Sequence, residues 1–326
     1  MSVDSEILQA LHGTGSGSIS GAELSQKLGI SRAAIWARVE ALRELGYDIE
    51  ASPHQGYRLL SAPDVLHADD LAWRLDENRR IGRDIRVFEQ TTSTNDVIEK
   101  LARDGAKEGA VVFAESQTQG RGRLGRTWTS PARKGLWFSL LLRPPLSPQA
   151  ATQLTVAAAV ALRNAIEAQT RLKSEIKWPN DILISGKKVS GILTELSAEL
   201  DRIKYVLVGI GVNVNLNAND FSNELRAQAT SLKIECGKPV VRVELAAAIL
   251  RELDHQYGRV LGGEFEAIAD DWEKHCATLG QRLLIVVGDR RISGRAEALG
   301  DDGALLLRTE HGHLERIVGG DVLVEK

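Results

Sequence analysis

At 326 residues the chain has room for two domains, or three small ones, at roughly 150 residues each. Hydrophobic residues make up 43% and charged ones 26%, which excludes wholesale disorder, while 41 Lys plus Arg against 44 Asp plus Glu excludes a global basic field for nucleic acid. Two cysteines without CxxC spacing, Cys236 and Cys276, speak against a disulfide scaffold, a zinc finger or a thiol redox site and fit a reducing compartment.

The N-terminus carries Asp4 and Glu6 where a secretory signal would be basic. The most apolar stretch, residues 154–166, is broken by Thr155, Arg163 and Asn164, short of the ~20 apolar residues of a membrane span. A soluble, cytoplasmic protein without a membrane partner is expected.

Ile7, Leu8 and Leu11 recur at helical spacing before a Gly/Ser run at 13–17. Ala22, Leu24 and Leu28 predict a second helix stopped by Gly29. Ser31 caps a third from Arg32 towards Leu45, stopped by Gly46. Two helices around a glycine-containing turn form a helix-turn-helix at about 21–40. Strand-like runs at 47–50 and 56–60, around Ser52-Pro53-His54-Gln55, predict a wing. Ser31, Arg32, Trp36, Arg38 and Arg43 are the candidate DNA contacts. Residues 1–60 hold five basic and seven acidic side chains, but 31–43 hold three Arg to one Glu. Such units also serve as protein-docking modules, and both readings stand on the residues alone.

Between 64 and about 275, strands are predicted at 87–88, 110–114, 182–184, 191–196 and 205–213, the last two as antiparallel neighbours. Ser147-Pro148 opens a long helix reaching about Ala168, and 243–260 and 264–276 read as helical. Strands and helices without strict alternation favour an α+β class over a doubly wound sheet. From Gly280 short strands at 283–287, 291–299, 304–308, 314–318 and 322–324, separated by glycine turns, predict a small SH3-like β-barrel. The expected organisation is a winged helix-turn-helix at 1–62, a mixed α/β catalytic domain at 64–276 and the barrel at 279–326.

The densest chemical signal is Gln119-Gly120-Arg121-Gly122-Arg123-Leu124-Gly125-Arg126-Thr127-Trp128. Its glycines let backbone approach an anion, and its arginines supply fixed positive charge for a polyphosphate or a carboxylate attacking a phosphate. Trp128 offers a stacking face for a purine. The alternative is a flexible arginine–glycine loop for nucleic acid. The spacing is not that of a P-loop, so a Walker-type NTPase is unsupported. Lys177-Trp178-Pro179-Asn180-Asp181, followed by Gly186-Lys187-Lys188-Val189-Ser190-Gly191, places a carboxylate and an amine around one strand pair. It reads equally as a pocket or as a structural turn with a surface hairpin. Thr92-Ser93-Thr94-Asn95-Asp96 reads first as a helix cap, and also as a set of hydroxyls and an amide for a small polar head group. Gly209-Ile210-Gly211-Val212-Asn213 is a strand with two small positions, leaving room for an apolar ligand tail.

In this order, Ser-Thr-Asn, GRGRxGRxW, KWPND, K(V/L)xG and GxGxN resemble the biotin–protein ligases. With the winged helix in front, the whole chain is similar to the bifunctional class that joins a biotin ligase to a biotin-operon repressor. The resemblance implies two steps. Biotin and ATP, with Mg2+, give biotinyl-5′-AMP and pyrophosphate, and a lysine of the biotin carboxyl carrier protein of acetyl-CoA carboxylase or a similar carboxylase takes the biotinyl group. It also implies residue roles. Ser93, Thr94, Asn95 and Gln117 would hold the biotin head, Arg121, Gly122 and Arg123 would close over the adenylate, and Lys188 would meet the carboxylate and phosphate. Gly191 and Gly209 would line the biotin pocket. Trp128, Arg121, Arg126 and Asn213 would serve the adenine and ATP. Arg123, Lys188 and Asp181 are the catalytic set, Asp181 either in amine transfer or positioning Lys188, with the Mg2+ ligands unassigned. Biotinyl-AMP as corepressor would favour a homodimer on operator DNA. The acidic N-terminal domain departs from a strong DNA binder, and the C-terminus ends without the arginine some relatives place there. A lipoate-type ligase and a ligand-sensing regulator without ligase activity are the competing expectations.

Overall fold

The computed structural model describes residues 2–53 and 55–324; Met1, His54, Glu325 and Lys326 lie outside the described residues. Three helices open the chain: α1 (Val3–Gly13), α2 (Gly21–Leu28) and α3 (Arg32–Glu44). Local chemistry sets their ends. Ser20 Oγ accepts from Glu23 N at 3.0 Å while Glu23 Oε2 accepts from Ser20 N at 2.8 Å, a reciprocal cap that starts α2. Gly29 stops it at φ +67°, a left-handed geometry that glycine adopts without a Cβ clash, and Ser31 caps α3 two residues later. Strands β1 (Asp48–Ser52) and β2 (Gly56–Ser61) pair antiparallel as the wing. Ile7, Leu11, Leu24, Ile35, Val39 and Leu42 form this unit's own core.

A short helix, α4 (Ala68–Trp73), leads into a seven-stranded mixed sheet. Its strands are β3 (Asp84–Thr91), β4 (Ala110–Gln117), β5 (Gly135–Leu142), β6 (Glu175–Lys177), β7 (Asp181–Ile184), β8 (Lys187–Glu199) and β9 (Arg202–Asn213), in the order β3-β4-β5-β9-β8-β7-β6. Only β3 and β4 run parallel. The predicted antiparallel pairing of β8 with β9 is present, with Gly191 opposite Gly211 and Leu193 opposite Gly209. Strand β5 is absent from the sequence reading. All eight of its residues are buried, so its run GLWFSLLL shows no polar alternation.

The sheet is covered on two sides by helices α5 (Thr94–Arg103), α6 (Thr152–Thr170) and α8 (Arg242–Leu261), with α7 (Leu232–Cys236) and α9 (Phe265–Glu273) nearby. The strand period of two sorts the faces. Val111, Phe113, Leu140, Val208 and Ile210 join the core under α6 and α8, whereas Val112, Leu141 and Leu207 pack with Ile98 and Ala102 of α5. The predicted helix at Ser147-Pro148 begins differently: Pro148–Ala151 form a tighter 3-10 turn, and α6 starts at Thr152. The C-terminal unit is an antiparallel sheet of β10 (Arg282–Val287), β11 (Arg290–Leu299), β12 (Leu305–Thr309), β13 (Leu314–Ile317) and β14 (Asp321–Val324), ordered β13-β12-β11-β10-β14. Its Leu283, Ile285 and Leu307 continue the core of the central domain. No helix among the described residues is long and apolar enough to cross a membrane.

Candidate active site

The α5 face of the sheet carries a cleft of about 460 Å3, counted with its open mouth. Its floor is glycine for a steric reason. A Cβ on Gly209 would stand 2.3 Å from Asn95 Oδ1, and one on Gly211 would stand 2.4 Å from the Trp128 ring. The GxGxN strand therefore lets a helix N-terminus and an indole approach the sheet closely.

One end of the cleft is neutral and polar. Ser93, Thr94 and Asn95 sit at the start of α5, each nearly fully buried. Gln117, at the end of β4, accepts from Thr94 N through Oε1 at 2.8 Å and donates to Ser130 Oγ at 2.8 Å, so its amide orientation is set. Ser139 of β5, opposite Gly209, touches both Thr94 Oγ1 at 2.7 Å and Asn95 Oδ1. The Ser-Thr-Asn segment is a helix start, but its Ser93 makes no side-chain cap. All three residues line the cleft.

The other end is cationic. Residues 120–128 fold back as a small hairpin: Gly122 N donates to Arg126 O at 2.7 Å and Trp128 N to Gly120 O at 2.8 Å. The hairpin brings Arg121, Gly122, Arg123 and Trp128 to the cleft. Arg123 donates to Asn180 Oδ1 at 3.3 Å, and Asn180 Nδ2 donates to Ile192 O at 2.6 Å, so the KWPND turn braces the arginine. Burial lowers the pKa of Arg123, with Asp181 and then Asp321 opposing the shift. Lys188 stands over the Trp128 ring at 5.2 Å and pairs with Asp181 at 2.6 Å. Between the ends lie Gly191, Ile192, Leu193 and Ile210. A polar pocket, an apolar passage and a cluster of cations thus follow one another along a single cleft. That sequence suits a small acid with a polar head, an aliphatic tail and a carboxylate that must meet a phosphate.

Several expected residues lie elsewhere. Asp181 reaches the cleft only through Lys188. Arg126 points away from the cleft and pairs with Asp321 of the C-terminal sheet at 2.7 Å, because the hairpin turns its side chain outward. Asn213 lies on the same face of β9 as Gly211 but is buried outside the cleft lining, its Nδ2 donating to Thr230 O at 3.1 Å. Three residues in or beside the site carry no role in the sequence analysis: Asn180, Ser139 and Glu195. Asn180 stands inside the quoted KWPND motif, and Gly211 is one of the two small positions read in the Gly209–Asn213 strand. Ser139 is the lone hydroxyl of an apolar strand, and Glu195 lies four residues beyond Gly191 on the same face of β8.

On the N-terminal unit, Arg32 and Trp36 are exposed on α3, Trp36 by 58%. Arg38 is more than half exposed, 3.7 Å from Asp4. Ser31 serves as the helix cap, its Oγ accepting from Ala34 N. Arg43 departs from the expected DNA contact. Its Nε and Nη2 donate to Ile49 O at 2.9 and 2.6 Å and its Nη1 to Glu40, so it braces α3 against the wing.

Comparison with known proteins agrees with this layout. The chain matches the HTH domain family over residues 4–58, the Biotin/lipoate A/B protein ligase family over 87–214 and the Biotin protein ligase C terminal domain over 278–324. It is 38% identical over 317 residues to the bifunctional ligase/repressor BirA of Bacillus subtilis, covering 97% of each chain. Identity to the Escherichia coli protein of the same name is 30% over 304 residues, 93% of this chain and 92% of the relative. The biotin protein ligase of Aquifex aeolicus, solved in complex with biotin and ATP, superposes with a TM-score of 0.64 at 30% identity, covering 75% of this chain and 99% of that one. With near-complete coverage of its bifunctional relatives, a helix-turn-helix in front and a ligase cleft behind, the chain belongs to the BirA family of bifunctional ligase/repressors.

Proposed function

We propose that the protein is an ATP-dependent biotin–protein ligase that also acts as a transcriptional repressor. The observation that carries the ligase reading is the single cleft joining the buried Ser93-Thr94-Asn95 end to Arg121, Arg123 and Lys188. The neutral end, with Gln117, Gly191 and Gly209, takes the biotin head and ring. The valeryl chain passes over Gly191 and Gly211 beside Leu193, and its carboxylate meets the α-phosphate of ATP beside Arg123 and Lys188. Two anions repel as they approach, so cations aimed at the reacting oxygens lower the barrier chiefly in the transition state. Arg121 and Gly122 cover the adenylate, while the Trp128 face offers a stacking surface to the nucleotide. Asp181 holds Lys188 in place through their ion pair. Among the described residues no three His, Cys, Asp or Glu side chains gather as a metal site. Mg2+ is taken up with ATP as part of that substrate, its protein ligands unassigned. The acceptor is a lysine of a biotin carboxyl carrier protein.

For the repressor half, α3 presents Arg32, Trp36 and Arg38 to operator DNA, with biotinyl-AMP as corepressor and a homodimer matching two half-sites. The three units are assigned to 1–62, 64–276 and 279–326, and the protein to the cytoplasm. Biotin-dependent exchange of pyrophosphate into ATP, with purified protein, Mg2+ and no acceptor, tests the reading. Exchange with biotin and not with lipoate is the expected result; exchange with neither acid would leave a ligand-sensing regulator.

A further inference from the structure

Glu195 lies outside the lining of the cleft, yet it touches two residues that form it. Asn95 Nδ2 donates to Glu195 Oε2 at 2.6 Å, and Arg121 Nη2 reaches the same oxygen at 2.9 Å. A carboxylate only accepts, so the amide nitrogen of Asn95 must face it and the amide oxygen must face away. That oxygen meets Ser139 Oγ. Ser139 has one proton, and Asn95 Oδ1 takes it. The 2.7 Å contact between Ser139 Oγ and Thr94 Oγ1 then has to be a donation from Thr94. Gln117 Oε1, which accepts from Thr94 N, also lies 3.2 Å from Thr94 Oγ1, a longer contact than the 2.7 Å to Ser139, and either acceptor draws the Thr94 proton into the protein.

The end of this chain is Thr94. Its hydroxyl proton is spent inward, and Thr94 itself lines the cleft. We propose that Glu195 is a positioning residue that sets the hydrogen-bond polarity of the head-group pocket through Asn95 and Ser139, making Thr94 an obligatory acceptor for an N–H donor on the ligand. The inference deepens the ligase reading and rests on it, because a cyclic urea presents such N–H donors. Asn95 and Ser139 are at most 3% exposed, so water cannot rearrange the chain freely. Glu195 has a second task through Arg121, shared with Asp96, which pairs with the same Nη2 at 3.0 Å.

The test is ATP–pyrophosphate exchange by the full-length protein, with biotin and MgATP varied separately. Removing the charged acceptor with Glu195→Ala is expected to raise KM for biotin about 30-fold while KM for ATP stays within about twofold and kcat within about threefold. Glu195→Gln keeps an oxygen that accepts from Asn95, so it is expected to cost only about fivefold in the same constant. Ser139→Ala breaks the proton chain without touching Arg121 and is expected to raise KM for biotin about tenfold; the double variant with Glu195→Ala is expected to be no worse than Glu195→Ala alone. Asp96→Asn, which weakens the hold on Arg121 and the exposed contact with Thr92 but leaves Glu195, Asn95 and Ser139 in place, is expected to stay within about threefold of wild type.

A Glu195→Ala protein whose KM for biotin is unchanged, or whose two KM values rise together, would overturn the proposal. So would an Asp96→Asn effect as large as that of Glu195→Ala, which would place the whole effect in the Arg121 anchor. If Glu195→Ala does not fold, an unchanged KM for biotin in Ser139→Ala overturns it equally. Absence of biotin-dependent exchange in the wild-type protein would instead bring down the ligase reading, visible before any variant is made.

Discussion

Lys188 Nζ lies 2.6 Å from Asp181 Oδ1, the carboxylate closing the KWPND turn and the amine opening the next strand. A bulge between Ile182 and Leu183 shifts the register of β7 on β8, so that Asp181 faces Gly191 and Lys188 swings up beside both. The ammonium is held between a carboxylate on one side and the Trp128 indole on the other. An ammonium so placed is preorganised for charge that develops on the reacting oxygens. Lys188→Ala is expected to lower the rate of biotin-dependent exchange by about 100-fold or more with an unchanged circular dichroism spectrum. Lys188→Arg should recover little of it, because the planar fork cannot stand where a point charge stands between Asp181 and Trp128. Wild-type exchange in Lys188→Ala would show the assigned chemistry to be wrong.

The second prediction concerns the C-terminal sheet. Arg126 pairs with Asp321, and a Cβ on Gly319 would stand 2.8 Å from Arg123 Nη2. The turn before β14 therefore rests on the arginine hairpin of the cleft. The Arg126 side chain is 68% exposed, so the pair itself is worth at most about 1 kcal/mol. Asp321→Ala should leave the unfolding midpoint within about 2 °C of wild type. Its effect belongs on the hairpin: exchange should fall about threefold, with Arg126→Ala giving a similar loss and the double variant no more than either alone. Additive losses would show that the two residues act separately.

Arg242 is wholly buried at the start of α8 and binds both oxygens of Glu115, itself 1% exposed, at 2.6 and 3.2 Å. It also reaches Asp64, and Glu115 Oε1 accepts from Leu66 N, so the segment entering the central domain is tied to β4 and α8 through one ion pair. Taking away the arginine leaves a buried carboxylate without its cation. Arg242→Ala is expected to destabilise the protein by about 3–5 kcal/mol in urea unfolding. Glu115→Gln with Arg242→Met should recover much of that loss, because the pair's removal is far less costly than its breakage.

How much of this was legible in the sequence depended on the range of the interaction. The turn of the helix-turn-helix was readable because Leu24, Leu28, Gly29 and Ser31 act within a few residues of one another, whereas the Ser20–Glu23 cap was not read. The five strands after Gly280 were readable from their regular glycine turns. The cleft was readable where a motif carried its own residues, as at Arg123 and Lys188. Glu195 and Asn95 are 100 residues apart, and Arg242 and Glu115 are 127 apart. No local pattern announces such a pair. Strand β5 was missed because burial on both faces removes the polar alternation that marks a strand. Arg43 was misassigned because its charge is visible in sequence while the Ile49 carbonyl that takes it is not.

That difference among the arginines of α3 gives the fourth prediction. Arg32 is exposed, whereas Arg43 spends three donors inside its own domain. With biotinyl-AMP-loaded protein on operator DNA, Arg32→Ala should weaken binding across sequences and reduce the salt slope by about one, the behaviour of a phosphate contact. Arg43→Ala should leave the salt slope unchanged and lower the thermal stability of the N-terminal unit. Equal salt slopes for Arg32→Ala and wild type would remove Arg32 from the interface.

The junction between the N-terminal unit and the central domain predicts a pH dependence. His12, at the end of α1, packs on Trp73 of α4 with ring centroids 5.0 Å apart, and its Nε2 lies 3.4 Å from Arg74 Nη2. Asp70 accepts from Trp73 Nε1 at 2.8 Å and pairs with Arg74, which itself lies over the Trp73 ring. Burial is the main force lowering the pKa of His12; Arg74 adds to it, while Asp70 and Glu244 oppose. Neutral His12 accepts from Arg74, and protonated His12 would repel it. Because the folded value lies below the unfolded one, the contribution is complete above the unfolded pKa of about 6.5 and is lost as pH falls below it. Between about pH 7.5 and about pH 5.5 the unfolding midpoint of the wild type should therefore fall further than that of His12→Gln. Scanning calorimetry on both proteins at matched ionic strength measures the difference. Parallel curves would mean that the joint is held by Asp70, Trp73 and Arg74 without a titrating partner.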